Sequence, residues 1–277
     1  MDKQSGLSPT EYHILAKLSK EGKQVFTISE FNEVFPDMKE DIKRIYLKRL
    51  SDKGSLIRFE RGKYLIVPLE AGIDKEWTED SFLLASKLVD PYAIAYWTAL
   101  NYWGFTEQIS STTFVQTTKQ KRKSKMKIFN NKIVFVKIKE KNFFGITKVW
   151  LRNKQINMTD KGKTIIDALD KPQYCGGLQE GIKALWNAVQ DEGFDWDKLS
   201  RYALKVSNRA VLKRLGYLSE FIDVPNKEDY QKIWQKNLSS GFIWLDPILK
   251  EGKVKHNTKW GVKVNIPVAK FISTLVY

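Results

Sequence analysis

The stretch from Met38 to Val67 reads MKEDIKRIYLKRLSDKGSLIRFERGKYLIV and decides the fold of the first quarter of the chain. Apolar residues recur at helical spacing through its first half, so the sequence predicts a helix capped by Asp37 and ended by Gly54. Its second half alternates apolar and charged residues on either side of Arg61-Gly62, a pattern typical of a β-hairpin. The stretch therefore predicts a helix followed by a basic hairpin.

On a helical wheel the predicted helix has an apolar side and a charged side. The apolar side, which we expect to be buried, carries Ile42, Tyr46, Leu47 and Leu50. The opposite side carries Asp41, Arg44, Ile45 and Lys48, with Arg49 at its edge. A helix of this kind would hold its basic side chains in water, available to a partner.

The residues before this stretch complete a recognisable order of elements. Ser8-Pro9-Thr10-Glu11 has the layout of a capping box and predicts a first helix. Val25 to Ile28 is a short β-rich run, and a short second helix follows it. Helix, strand, helix, helix and hairpin is the order of a winged helix-turn-helix, whose third helix enters the major groove of DNA.

The sequence thus predicts that residues 1–70 are a DNA-binding domain. Its candidate DNA-binding residues lie on the third helix and the hairpin: Arg44, Ile45, Lys48, Arg49, Arg58, Arg61 and Lys63. Two alternatives remain: these charges are only the solvated face of a small helical domain, or the winged helix binds a protein.

Charge is concentrated after the first domain. The chain of 277 residues has a net charge of +15, whereas residues 1–70 hold 13 basic and 11 acidic residues and contribute only +2. Residues 119–127 read KQKRKSKMK and include Lys119, Lys121, Arg122, Lys123, Lys125 and Lys127. This run is either a patch that contacts phosphates or serves an antitoxin function, or a solubilising charge run.

The rest of the chain predicts an α+β protein. Residues 71–80 are predicted to be a linker, and residues 81–277 a larger mixed α/β domain. In that domain, Tyr92 to Trp103 is predicted to be a helix and residues 112–158 an antiparallel sheet. Helices are predicted at Leu178–Val189 and Lys227–Lys236, among others.

Few residues suit catalysis or metal binding. The chain has one cysteine, Cys175, and two histidines, His13 and His256, which argues against a zinc site and fits a reducing cytoplasm. No run is long enough to span a membrane, and we expect no cofactor and no catalytic residue. A nuclease-like enzyme is the alternative, and its candidate residues are Asp90, Glu107, Gln116 and Lys119.

Several short motifs occur in an order similar to that of a known family. The N-terminal motifs are Tyr46 to Leu50, Lys53-Gly54 and Arg61 to Tyr64. The later ones are Asp90-Pro91-Tyr92, Trp97 with Ala99-Leu100, Phe114 to Thr118, Phe143-Phe144-Gly145, Lys163 to Asp167, Pro172, Cys175-Gly176-Gly177, Arg214 to Leu218, Leu245-Asp246-Pro247 and Trp260-Gly261. In this order they resemble the AbiEi antitoxins of type IV toxin–antitoxin systems, which are linked to abortive phage infection.

The resemblance implies two roles. The N-terminal winged helix of an AbiEi antitoxin represses its own operon by binding inverted repeats in the promoter. The C-terminal domain counteracts a nucleotidyltransferase-like toxin without requiring a stable complex with it. The resemblance implies no catalytic residues.

Overall fold

The protein has a mixed α+β fold in a computed structural model, as the sequence predicts. The structure describes residues 6–67, 81–128, 131–151, 154–249 and 254–275. The predicted linker at 71–80 lies outside these residues. The chain divides into two compact units, of which the first comprises residues 1–90 with 126–133 and the second residues 91–125 with 134–277.

The first unit contains helices α1 to α4 and a small antiparallel sheet in the order β1-β3-β2. In chain order its elements are α1 (Pro9–Lys20), β1 (Val25–Thr27), α2 (Ile28–Val34), α3 (Glu40–Asp52), β2 (Leu56–Glu60), β3 (Lys63–Ile66) and α4 (Ser81–Leu88). Its core includes Ile14, Leu18, Phe26, Phe31 and Leu50, all almost fully buried.

Caps fix where the helices of the first unit begin. The predicted capping box is present at α1, because Ser8 and Glu11 each accept a hydrogen bond from the other's backbone N–H. The predicted cap at Asp37 is wrong, since α3 begins after Lys39, which makes no side-chain capping bond. The first turn of α3 carries Glu40 and Asp41, and their charges favour a helix N-terminus without a cap.

The second unit combines a six-stranded sheet with most of the helices. Its elements are β4 (Ala93–Ile94), α5 (Tyr96–Tyr102), β5 (Thr112–Thr117), β6 (Lys125–Ile128), β7 (Asn131–Lys137), β8 (Ile146–Leu151), β9 (Lys154–Thr159), α6 (Lys161–Asp170), α7 (Leu178–Val189), α8 (Trp196–Lys205), α9 (Ala210–Leu218), α10 (Lys227–Lys236), β10 (Ile243–Trp244), β11 (Lys255–Asn257), β12 (Val262–Val264) and α11 (Val268–Ser273). Residues 126–133, which include most of β6 and the start of β7, group with the first unit. Short 3-10 helices lie at Glu140–Asn142 and Pro172–Tyr174.

The large sheet is mixed and not purely antiparallel as predicted. Its strand order is β6-β7-β5-β4-β9-β8, and β4 runs parallel to β9 while it is antiparallel to β5. The parallel pair involves β4. The sequence predicts a helix at Ala93 and Ile94, whereas the structure has a strand there. A second sheet, in the order β10-β12-β11, also contains one parallel pair.

The core of the second unit is built mainly from α6, α7 and α9. Nearly every residue of α6 is buried, and so is most of α9. Among the described residues, no helix is both long and apolar enough to cross a membrane.

Candidate nucleic-acid interface

Helix α3 turns one side inward through Lys43, Leu47 and Leu50. Ile42 was predicted to be buried, but its side chain is 41% exposed. Lys43 takes the inner position instead, because its aliphatic stem packs inside while its ammonium donates to Glu40 Oε1 at 3.2 Å. A helical wheel that treats lysine as polar therefore displaces the predicted buried side of α3 by about one residue from the observed buried side.

The outer side of α3 is a basic surface with two isoleucines. Arg44, Lys48 and Arg49 are exposed, together with Ile42 and Ile45. The acidic residues Asp41 and Asp52 lie toward the two ends of the same side. All four DNA-binding residues that were predicted on α3 therefore project away from the core.

The hairpin of β2 and β3 turns tightly at Gly62. Gly62 has a φ of +74°, a backbone conformation that glycine adopts without the strain a side chain would bring. Arg58 and Arg61 are exposed, and the β-ladder is irregular between Arg58 and Glu60. Lys63 differs from them, because its ammonium donates to Leu88 O at 2.9 Å and pairs with Glu60 at 3.0 Å.

A cleft of about 470 Å³ separates α3 from the hairpin. Its lining residues are Ile28, Arg44, Leu47, Lys48, Ser51, Asp52, Arg58 and Tyr64. Three cations and one carboxylate face this space, so the potential inside it is positive. Ser51, Asp52, Tyr64 and Ile28 were not predicted as site residues, because their membership depends on the distance between helix and hairpin.

The ion pairs of the first unit leave this surface unneutralised. Five of its described lysines are engaged in ion pairs elsewhere: Lys53 with Glu11, Lys87 and Lys23 with Glu30, Lys43 with Glu40, and Lys63 with Glu60. Within the described part of the chain, Arg44, Lys48, Arg49, Arg58 and Arg61 form no ion pair. A unit of small net charge therefore presents a basic face.

The basic run of residues 119–127 lies on the loop after β5 and on β6. Lys119, Arg122, Lys123, Lys125 and Lys127 are exposed. Lys121 is half-buried, with its ammonium 5.2 Å from the centre of the Phe135 ring. Strand β6 is an edge strand of the sheet, so its exposed lysines also discourage pairing with another chain.

Of the residues weighed for a nuclease, the three in the second unit lie in different surroundings. The Gln116 side chain is buried and donates to Asp167 Oδ2 at 2.6 Å. Lys119 is exposed on the loop, and Glu107 lies 3.8 Å from Lys183. Asp90 is exposed and belongs to the first compact unit.

A buried polar cluster of Gln116, Lys163, Asp167 and Tyr96 was not predicted from the sequence. Lys163 donates to Asp167 from one helical turn away on α6, and both side chains are buried. Burial raises the pKa of Asp167 from 3.8 to about 6, because the attraction of Lys163 opposes desolvation only in part. The Tyr96 hydroxyl is buried without a well-formed hydrogen bond to a described residue, and Tyr96 has a φ of +57°.

Cys175 lies close enough to Asp167 and Tyr96 to interact with them electrostatically, whereas His13 and His256 lie on α1 and β11. Cys175 is fully buried, and burial raises the pKa of its thiol well above the usual value. His256 lies on β11, edge-on to Phe242 with ring centres 5.1 Å apart. Over the ranges that the structure describes, no group of three or more His, Cys, Asp or Glu residues is placed to hold a metal ion.

Comparison with known proteins finds a similar fold but assigns the chain to no family. No protein-family model matches the chain, and no curated protein is similar to it in sequence. The fold is similar to that in the crystal structure of the RV2827C protein from Mycobacterium tuberculosis, with a TM-score of 0.63. The match covers 98% of this chain and 96% of that one at 12% sequence identity, so it shows a shared fold over nearly the whole chain and nothing further.

Proposed function

We propose that the first unit is a winged helix-turn-helix that binds double-stranded DNA, with α3 as the recognition helix and the β2–β3 hairpin as the wing. The order of the elements from α1 to β3 supports this assignment. The observation that carries it is the set of cations around the cleft, Arg44, Lys48 and Arg58, none of which forms an ion pair with a described acid. Unpaired arginine and lysine side chains on such a helix suit phosphate oxygens and guanine edges.

We further propose that the chain is an AbiEi-like antitoxin and autorepressor that acts in the cytoplasm and counteracts a nucleotidyltransferase-like toxin. Some of the motifs that carry the resemblance contact one another in the fold. Gly216 lies against the Trp260 ring, and Arg214 Nε donates to Leu245 O at 2.8 Å. Three motifs distant in sequence thus belong to one packed core.

The DNA-binding proposal is tested by mobility shift with the protein's own promoter fragment. Arg44→Ala and Lys48→Ala should each weaken binding by about 1–3 kcal/mol if the side chain takes a guanine edge. Lys20→Ala is the matched control, since Lys20 is an exposed cation at the end of α1 and should change affinity little. Binding that is unchanged by both α3 variants, with their folds intact by circular dichroism, would contradict the assignment.

The antitoxin proposal is tested by growth. A nucleotidyltransferase encoded beside this gene should be toxic alone and harmless when this chain is co-expressed from a foreign promoter. The Arg44→Ala/Lys48→Ala variant should lose promoter binding but still rescue growth, because the two roles belong to different units. A toxic neighbour that this chain does not neutralise would contradict the antitoxin role while leaving DNA binding in place.

A further inference from the structure

Two isoleucines interrupt the charged outer side of α3. Ile42 is 41% exposed and Ile45 is 43% exposed, and their spacing of three residues places them on one side of the helix. Ile45 lies about one turn from Asp41 and from Arg49, so it is near the middle of the charged side. These side chains contribute to the core least of the apolar residues on α3, and burying them against a partner would remove apolar surface from water.

The partner of this surface must combine negative charge with apolar groups at short range. Arg44, Lys48 and Arg49 surround the isoleucines and pair with no described acid. In the major groove of DNA, phosphates line the rim and the C5 methyl of thymine is the apolar group on the base edges. The groove is about 12 Å wide and admits a helix. Contacts to the phosphates at its rim and to the thymine methyl groups on the base edges can therefore form together.

We propose that Ile45, with Ile42 beside it, contacts thymine C5 methyl groups and makes the protein select sites with thymine at the contacted positions. This inference rests on the proposed DNA binding. It assigns the cations of α3 to phosphates and guanines and the isoleucines to thymine. Preference for thymine then depends on two apolar side chains that no charge-based search would find.

Uracil-containing DNA provides the test, because uracil keeps every hydrogen-bonding group of thymine and lacks only the C5 methyl. Binding sites are first selected by the full-length protein from a random-sequence pool, so that no operator is assumed. Each selected fragment is then prepared by amplification with either thymine or uracil nucleotides. Affinities are measured for the wild type and for Ile45→Ala, Ile45→Val, Arg44→Ala and, as an exposed apolar control, Ile109→Ala, whose side chain is 85% exposed.

The wild type should bind uracil DNA about fourfold more weakly for each thymine methyl group that the isoleucines touch. Ile45→Ala should bind thymine DNA more weakly and show a smaller thymine preference, whereas Ile45→Val should keep most of it. Arg44→Ala should weaken binding to both DNAs and keep the preference, and Ile109→Ala should match the wild type.

Two outcomes distinguish failure of this inference from failure of the proposed function. Equal affinity of the wild type for thymine and uracil DNA, or a preference that Ile45→Ala leaves undiminished, overturns the thymine assignment while DNA binding stands. Absence of binding to any double-stranded DNA at low salt overturns the proposed function, and the thymine assignment with it.

Discussion

At the scale of single residues, Gly216 shows how the helical core limits side-chain size. Gly216 lies on α9, where an added Cβ would overlap the ring of Trp260, and that ring is fully buried. The Trp260 indole is also held in place, because Nε1 donates to Glu220 Oε1 at 2.8 Å. The ring therefore cannot move aside without breaking a hydrogen bond.

Gly216→Ala should lower the free energy of unfolding by about 1–3 kcal/mol, because overpacking outweighs the higher helix propensity of alanine. Gly181→Ala on α7 is the matched control, since its Cβ would meet Leu169 only at ordinary contact distance, 3.4 Å. Chemical denaturation compares the two variants. Equal stability of both variants would show that the Trp260 ring does not limit this position.

The raised pKa of Asp167 predicts an unusual dependence of stability on pH. Its folded pKa of about 6 exceeds its ordinary value of 3.8, so its contribution to stability is full below about pH 4 and is lost as pH rises toward 6. Asp167→Asn removes this titration. The stability of the wild type relative to the variant should therefore fall by on the order of 2 kcal/mol between pH 4 and 7, measured by denaturation at both pH values. A pH-independent difference would place the pKa of Asp167 near its ordinary value.

Residue type explains why some site residues could be predicted and others could not. Arg44, Ile45, Lys48 and Arg49 follow from helical spacing, and the structure exposes all four. The prediction for Ile42 was wrong, because Lys43 occupies the inner position through its aliphatic stem. The buried ion pair of Lys163 and Asp167 could not be predicted, although both residues lie in a quoted motif. Burial of an ion pair depends on neighbours that are distant in sequence.

At the scale of elements, a single carboxylate joins the start of α1 to the end of α3. Glu11 Oε2 accepts hydrogen bonds from the Ser8 backbone N–H and from Lys53 Nζ, each at 2.7 Å. Lys53 is the C-cap of α3 and also donates to Gly6 O at 3.0 Å. The hydrogen bond from Lys53 contributes most to holding the pKa of Glu11 below its usual value of 4.5.

Glu11→Gln should lower stability at pH 7 by on the order of 1 kcal/mol, since it weakens both the cap and the link to α3. Because the folded pKa is lowered, the carboxylate stabilises the protein above pH 4.5 and this contribution is lost as pH falls through the folded value. The difference from wild type should shrink on acidification below pH 4.5, as followed by thermal unfolding. Glu33→Gln is the control, because Glu33 is exposed and lies 3.8 Å from Lys23.

Elements with strong local signals are the ones that the sequence predicts well. Helices α7 and α10 match their predicted bounds, Leu178–Val189 and Lys227–Lys236. Strand β4 was not predicted, because an apolar run of this length has no period that separates a buried strand from a helix. Its pairing with β5 and β9 is decided by residues far along the chain.

At the scale of the whole molecule, most of the net charge of +15 lies outside the proposed DNA-binding unit. Two explanations of the exposed cations at 119–127 differ in what they predict. If the run contacts phosphates, it adds to DNA affinity without changing sequence preference. If it serves the antitoxin role, DNA binding does not depend on it.

Replacing Arg122, Lys123 and Lys125 by alanine tests these explanations, because all three are exposed. The matched control replaces Lys227, Lys232 and Lys236 on α10, which lowers the net charge by the same three units. If the run contacts phosphates, only the first variant should reduce the slope of log affinity against log salt, by about one for each phosphate that the replaced side chains neutralise. An unchanged slope together with failure to rescue growth from the toxin would assign the run to the antitoxin role. Equal changes in both triple variants would mean that net charge, and not the position of these cations, determines the affinity.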